Sequence, residues 1–315
     1  MKSSLDVVTF GESMVLFAPS ERETLESASA YHASIGGAES NCAIGLARLG
    51  YSVSWVSRVG RDPFGARVLK TIRGEGVDVS RVEMSDSAQT GLMFKEPGPG
   101  NTTRVFYYRR QSAAAALQLE QFDSLAAKYL FVTGITPALS DSNRKLTFDL
   151  VERFRAAGTK VAFDPNMRFR LWSPKEARIV FLDLARKCDI LIPSLAEAEI
   201  LTGLAEPERM LDELRALGPP QIVLKAGDKG AWYTDGAEHG FCPCHSVREI
   251  DPVGAGDAFC AGVLSALIDG QPLRDAVKRG AALGAFCVST FGDYQGLPDR
   301  VGLEAFVEGS LIPGR

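Results

Sequence analysis

Short runs rich in β-branched and aromatic residues alternate along this chain with longer runs of helical periodicity. The β-rich runs predict strands over Leu5–Phe10, 52–59, 130–133, Lys160–Asp164, 190–193 and Gln221–Lys225, followed by a hairpin of 231–234 with 240–244. Between them, apolar residues spaced by three and four predict helices over 40–49, 64–74, 142–157, 174–187, 196–202, 206–217, 257–268 and 272–289. Strand–helix alternation of this kind predicts an α/β fold whose mostly parallel sheet is covered by helices on both faces. Right-handed crossovers make that sheet doubly wound, and ligands then bind outside the carboxyl ends of its strands.

Two segments break the alternation. Residues 14–31 and 90–110 carry strand patterns with no helix after them. In "TGLMFKEPGPGNTTRVFYYRR", two β-rich runs flank a Pro/Gly/Asn turn at 97–101, which is a hairpin pattern. These segments are expected to form a small discontinuous β-sheet that projects from the main domain as a lid. Residues 1–13, 32–89 and 111–315 then make up the α/β core domain, which holds the ligand crevice. An apolar lid face would also pair with a second subunit, so a homo-oligomer is expected.

Composition narrows the function classes. Apolar residues form 45% of the 315, enough for a large core. With 35 basic against 39 acidic residues the formal charge is −4, which argues against a nucleic-acid partner but not against a small anion. No apolar run approaches the roughly 20 residues of a membrane helix. The first residues lack the apolar core of a signal peptide, and the six cysteines show no disulfide-like spacing. A cytoplasmic protein is expected. The one metal-like cluster, "EHGFCPCH", holds His239, Cys242, Cys244 and His245, but C-P-C is tighter than zinc spacing. It reads better as a strand with Cys242 and Cys244 on one face. Asn101-Thr102-Thr103 fits a glycosylation acceptor, which would matter only on secretion.

Candidate chemistry centres on "DPVGAGDAF", residues 251–259. The G-x-x-x-x-G-K-[ST] phosphate loop is absent, and "TFGESMVLF" stands where a dinucleotide fingerprint would follow the first strand. Gly254, Ala255 and Gly256 instead allow a tight turn with converging N–H groups at the positive end of the next helix. Asp257 sits in that cationic field and should be ionised at neutral pH. An ionised carboxylate beside an anion cradle can take the proton of a hydroxyl during phosphoryl transfer. The plainer reading is a turn followed by a helix-terminal acid.

Residues 36–50, "GGAESNCAIGLARLG", and 251–262, "DPVGAGDAFCAG", together resemble the two signatures of the ribokinase-like (PfkB) carbohydrate kinases, in order and separation. The likeness covers essentially the whole chain. Within that family, "FYYRRQSAA" (106–114), "DPNMRFRLW" (164–172) and "FGDYQGLP" (291–298) resemble 2-keto-3-deoxygluconate kinases. The resemblance implies ATP- and Mg²⁺-dependent phosphorylation of a sugar hydroxyl and leaves room for a monovalent cation. It implies that Asp257 is the base and that Gly254, Ala255 and Gly256 form the anion hole. Gly36, Gly37 and Asn41 would contact the sugar, while Tyr107, Arg109 and Arg168 would hold a sugar acid. Lys225, Gly227 and Gly230 match the nucleotide-side loop. Ser194 and Glu197 match the family's N-x-x-E element, with serine for asparagine, and Glu197 would act on the metal through water. Met93 replaces a substrate-facing tyrosine, and Ala281 replaces an asparagine near the adenine.

The local chemistry agrees with an acidic sugar. A carboxylate is best matched by the planar fork of arginine. Tyr107 and Arg109 fall on one side of a strand, and Arg168 follows a strand end, where ligands of such sheets bind. The alternative is that Arg109 and Arg110 are surface charges of the lid and that Arg168 pairs with Asp164 or with a helix end. Three rival functions remain: a neutral-sugar kinase such as a fructokinase, a 5-dehydro-2-deoxygluconate kinase, and a non-catalytic sugar-sensing module. A nicotinamide dehydrogenase lacks its fingerprint.

Overall fold

The computed structural model describes residues 5–98 and 103–310. Its larger sheet has eight strands, in the order His239–Pro243, Gly230–Thr234, Gln221–Lys225, Ile190–Leu191, Lys160–Asp164, Ala127–Thr133, Leu5–Phe10 and Val53–Val56. All neighbours are parallel except at one edge, where the last two strands in sequence add antiparallel. The continuous apolar runs of the parallel strands suit a sheet buried on both faces. Alternate residues feed two cores. Val7, Phe131 and Val223 pack under helices Ala38–Arg48, Ala255–Ile268 and Leu273–Val288. Val8, Leu130 and Leu224 pack under Asp141–Ala156, Pro174–Ala185 and Pro207–Ala216. Local chemistry fixes the helix starts: Ser173 with Glu176, and Ser194 with Glu197, form reciprocal capping boxes.

The second sheet has four strands, Tyr31–Gly36, Met14–Pro19, Leu92–Pro97 and Thr103–Tyr108. Met14–Pro19 pairs parallel with Leu92–Pro97, and the outer pairs are antiparallel. Its third segment thus continues to Gly36, although residues from 32 onward were expected to belong to the core. One face carries Met14, Leu16, Met93, Val105 and Tyr107, and these pack together toward the larger sheet.

Other departures have local causes. The expected strand 52–59 breaks at Ser57 into Val53–Val56 and Arg58–Gly60, and the second piece leaves the large sheet to pair with Glu83–Ser85. The strand at Ile190–Leu191 stops before Pro193, which has no N–H to donate. Helix Arg300–Val307 went unforeseen, although Asp299 caps it by accepting the Gly302 N–H. The expected shared face of Cys242 and Cys244 fails, because the strand ends at Pro243. Cys242 is buried, Cys244 is exposed, and His245 packs against the Phe306 ring. Residues 99–102, which include most of the hairpin turn and the glycosylation-like triplet, lie outside the described residues. No helix among the described residues is long and apolar enough to cross a membrane.

Candidate active site

A cavity of about 440 Å³ opens at the carboxyl ends of the parallel strands, under the inner face of the small sheet. The glycine turn forms one wall. Gly254 has φ of 87°, and a Cβ there would overlap the backbone of Asp293, so both its conformation and its packing call for glycine. It is the N-cap of helix Ala255–Ile268, which puts Asp257 in the first turn. Ala255 N–H turns back to the Pro252 carbonyl at 3.3 Å. The remaining N–H groups of the first turn have no intrahelical acceptor by construction, and Gly254 and Gly256 line the cavity.

Asp257 is 7% exposed and faces the same cavity. Its Oδ2 accepts from Asn41 Nδ2 at 2.8 Å and its Oδ1 from Asn166 Nδ2 at 3.3 Å. Burial pushes its carboxyl up to about 6, against the opposing pull of the Asn41 hydrogen bond and of the Arg168 charge. The expected cationic field is therefore outweighed by desolvation, and the group is a stronger base than a surface aspartate while still mostly ionised at pH 7. Asn166 reaches this position with φ of 38°, a left-handed conformation that asparagine tolerates, and its N–H is held by Asp164 Oδ1 at 3.1 Å.

Gly36 and Gly37 border the cavity, and both are close-packed. A Cβ on Gly36 would meet Met93 and the Asp293 carboxylate, and one on Gly37 would meet the Glu12 carbonyl. Asn41 lines the cavity too, and its amide nitrogen donates to Asp257.

The arginines separate. Arg168 is exposed at the cavity. Arg109 is not a surface charge: its side chain is 9% exposed and its Nη2 lies 2.5 Å from Glu12 Oε2, itself buried. Tyr107 borders the cavity between Arg109 and Arg170, whose guanidinium carbons lie 5.7 and 5.9 Å from its ring centre. Arg110 is exposed and away from the cavity. The alternative pairing of Arg168 with Asp164 does not occur, because Asp164 Oδ2 takes Lys225 Nζ at 2.6 Å and the Cys260 thiol at 3.3 Å.

That ion pair sits under the glycine turn. Lys225 Nζ lies 3.7 Å from where a Gly256 Cβ would stand. The neighbouring carboxylates, Asp164 first, raise the Lys225 ammonium above its ordinary value despite burial. Ser194 and Glu197 border the same end. Glu197 Oε2 accepts from the Ser194 N–H at 2.7 Å and hydroxyl at 2.8 Å, and its Oε1 from the Met167 N–H at 2.6 Å. Gly227 also lines the cavity, whereas Gly230 packs against Cys242 behind it. Ala281 is buried in helix Leu273–Val288, away from the cavity.

Sequence reasoning missed Glu12, Glu39, Lys95, Asn166 and Asp293. Glu39 is fully buried, with Oε1 accepting from the Thr133 and Thr136 hydroxyls at 2.6 and 2.8 Å. Burial raises its carboxyl to about 7. Its place inside "GGAESN", an acid at a helix start facing a core, was the available signal.

A doubly wound sheet, a β lid, and a buried acid on a glycine turn between them define a sugar-kinase architecture. The pfkB family carbohydrate kinase profile matches residues 4–300. The chain belongs to that family and is a phosphotransferase. It is 42% identical to a 2-dehydro-3-deoxygluconokinase of Bacillus subtilis (strain 168), over 96% of this chain and 95% of that one. It is 35% identical to a 2-dehydro-3-deoxygalactonokinase of Haloferax volcanii, over 94% of this chain and 95% of that one. Among solved structures, a PfkB protein from Polaromonas sp. JS666 superposes with a TM-score of 0.87 at 40% identity, covering 96% of this chain and all of that one.

Proposed function

We propose that this chain transfers the γ-phosphoryl group of ATP to the terminal primary hydroxyl of 2-keto-3-deoxygluconate or a close epimer. The reading is carried by one observation: Asp257, a buried base beside the glycine turn, shares a cavity with Tyr107, Arg109 and Arg168. The sugar lies between lid and sheet, its carboxylate toward the arginines and its far hydroxyl toward Asp257. ATP lies on the other side of the turn, near Ser194, Glu197, Lys225 and Gly227. As the hydroxyl oxygen attacks the γ-phosphorus, its proton passes to Asp257 and ADP leaves. N–H groups of Gly254, Gly256 and Asp257, with the Lys225 ammonium behind them, stabilise charge on the transferred group; the Ala255 N–H, expected to join them, is taken by the Pro252 carbonyl. The lid excludes water, which limits ATP hydrolysis.

The residues fit Mg²⁺ as such enzymes hold it. Among the described residues no three acids, histidines or cysteines cluster as a metal cage. Mg²⁺ keeps several waters and takes phosphate oxygens with one or two carboxylates, so a lone Glu197 beside Ser194 is an adequate partner through water. When bound, the ion neutralises charge on the phosphates.

The reading extends to a cytoplasmic enzyme that pairs through the outer face of the lid. Phe17, Phe94 and Tyr108 form a chain of ring contacts there, at 5.3 and 5.4 Å. One observation favours a neutral sugar instead: Glu12 already neutralises Arg109. A coupled ATP-consumption assay over sugar acids and neutral sugars decides. Preference for 2-keto-3-deoxy sugar acids supports the proposal, and equal or better turnover of fructose overturns it.

A further inference from the structure

Lys95 comes from the lid, yet its charge ends in the core. It stands on strand Leu92–Pro97, opposite Val105 on the face that borders the cavity. Its Nζ donates to Asp293 Oδ1 at 2.5 Å and lies 3.8 Å from Asp251 Oδ2. The three side chains are 8%, 6% and 14% exposed. Each carboxylate belongs to a loop that shapes the phosphate-side wall. Asp251 opens the glycine turn: its Oδ1 accepts the Val253 N–H at 3.0 Å, and its Oδ2 the Gly292 N–H at 3.3 Å. Asp293 lies directly against Gly254, leaving no room for a Cβ. Asp293 is also one of the charges that raise the Asp257 carboxyl.

A buried and a half-buried carboxylate side by side without a cation repel one another and resist desolvation. One ammonium between them removes the repulsion and fixes both loops at once. We propose that Lys95 is a positioning residue for phosphoryl transfer. The lid delivers its ammonium, which holds Asp251 and Asp293 together and so sets the glycine turn, Gly254 above all, in its anion-accepting shape. Lid position and anion hole are thereby one mechanical unit. This rests on the glycine turn binding the transferred phosphate, as in the function proposed above.

The test compares wild type with Lys95→Ala, Lys95→Met and Lys95→Arg, measuring kcat, sugar KM and, by calorimetry, affinity for a non-hydrolysable ATP analogue, each with and without propylammonium at tens of millimolar. In Lys95→Ala, kcat falls on the order of 10²-fold, as for a misplaced catalytic wall, while sugar KM moves far less. Propylammonium, which replaces the missing atoms, restores about tenfold or more of that loss. It does nothing for Lys95→Met, whose side chain fills the space. Lys95→Arg keeps the charge and retains more activity than either. Near-normal kcat in Lys95→Ala, a change in sugar KM alone, or a loss that propylammonium leaves untouched would each overturn the proposal. Should wild type phosphorylate no sugar, the proposed function falls by itself. Binding of a non-hydrolysable ATP analogue, which carries the third phosphate, then decides for Lys95: weakened in Lys95→Ala and recovered with propylammonium, or unchanged and the proposal lost.

Discussion

Asn41 Nδ2 donates to Asp257 Oδ2 at 2.8 Å across 216 residues of sequence, joining the two signature segments of the chain. This bond favours the ionised carboxylate and opposes the upward push of burial. Asn41→Ala removes it, so the Asp257 carboxyl rises further. A base works only when deprotonated, so wild-type kcat/KM should fall as pH drops through about 6. In Asn41→Ala that acidic limb should lie at higher pH. A pH–rate profile checks both, and an unmoved limb would show that Asn41 does not tune the base.

Asp257→Asn should lower kcat on the order of 10² or more with sugar affinity little changed. It should also make the fold more stable at neutral pH. The folded carboxyl is raised from 3.8 to about 6, so ionising it opposes folding. Below about pH 4 the opposition is absent; it grows as pH rises toward 6 and is complete above, at about 3 kcal/mol. Thermal melts at pH 4 and pH 8 should therefore show the variant gaining on wild type only at the higher pH. A variant with lower Tm at pH 8 would contradict the buried, ionised state.

Arg168 and Arg109 should separate on stability. Arg168 is exposed, so Arg168→Ala should raise KM for a sugar acid much more than for a neutral sugar and leave Tm alone. Arg109→Ala strands the buried Glu12 carboxylate and should lose about 3 kcal/mol of stability as well. Adding Glu12→Gln should return most of that stability without returning affinity. Equal Tm losses in the two single variants would refute the distinction.

Gly254→Ala forces a side chain into a φ of 87° and against the Asp293 backbone. The turn must shift, so kcat should fall on the order of 10²-fold, as for a displaced donor of an anion hole. Gly227 has φ of 62° but open space around it, so Gly227→Ala should be the milder change. Steady-state kinetics of the two variants make the comparison.

Strands Leu5–Phe10, Lys160–Asp164 and Gln221–Lys225 lie where the apolar runs put them, because a strand buried on both faces writes an unbroken apolar pattern. The hairpin was legible for a similar local reason, two β-rich runs around a Pro/Gly/Asn turn, whereas the acid of "DPVGAGDAF" read locally as a helix-terminal acid and took a catalytic meaning only from the resemblance of the two signature segments. The partners of charged groups were not. Glu12 with Arg109, Lys95 with Asp293, and Lys225 with Asp164 join segments far apart in the chain. No periodicity marks such pairs, since only the folded topology brings them together. The breadth of the lid was underread for another reason. Tyr31–Gly36 runs from exposed to buried without alternating, so its antiparallel partner, not its own pattern, makes it a strand.

Gly36 ends a lid strand, Gly37 is the N-cap of helix Ala38–Arg48, and Asn41 stands in that helix's first turns. No loop intervenes between strand and helix. That strand and the hydrogen-bond donor of Asp257 are thus successive parts of one unbroken stretch of backbone. The backbone that closes the small sheet therefore also places the amide that favours the ionised form of Asp257, so sugar-side wall and base share one continuous support.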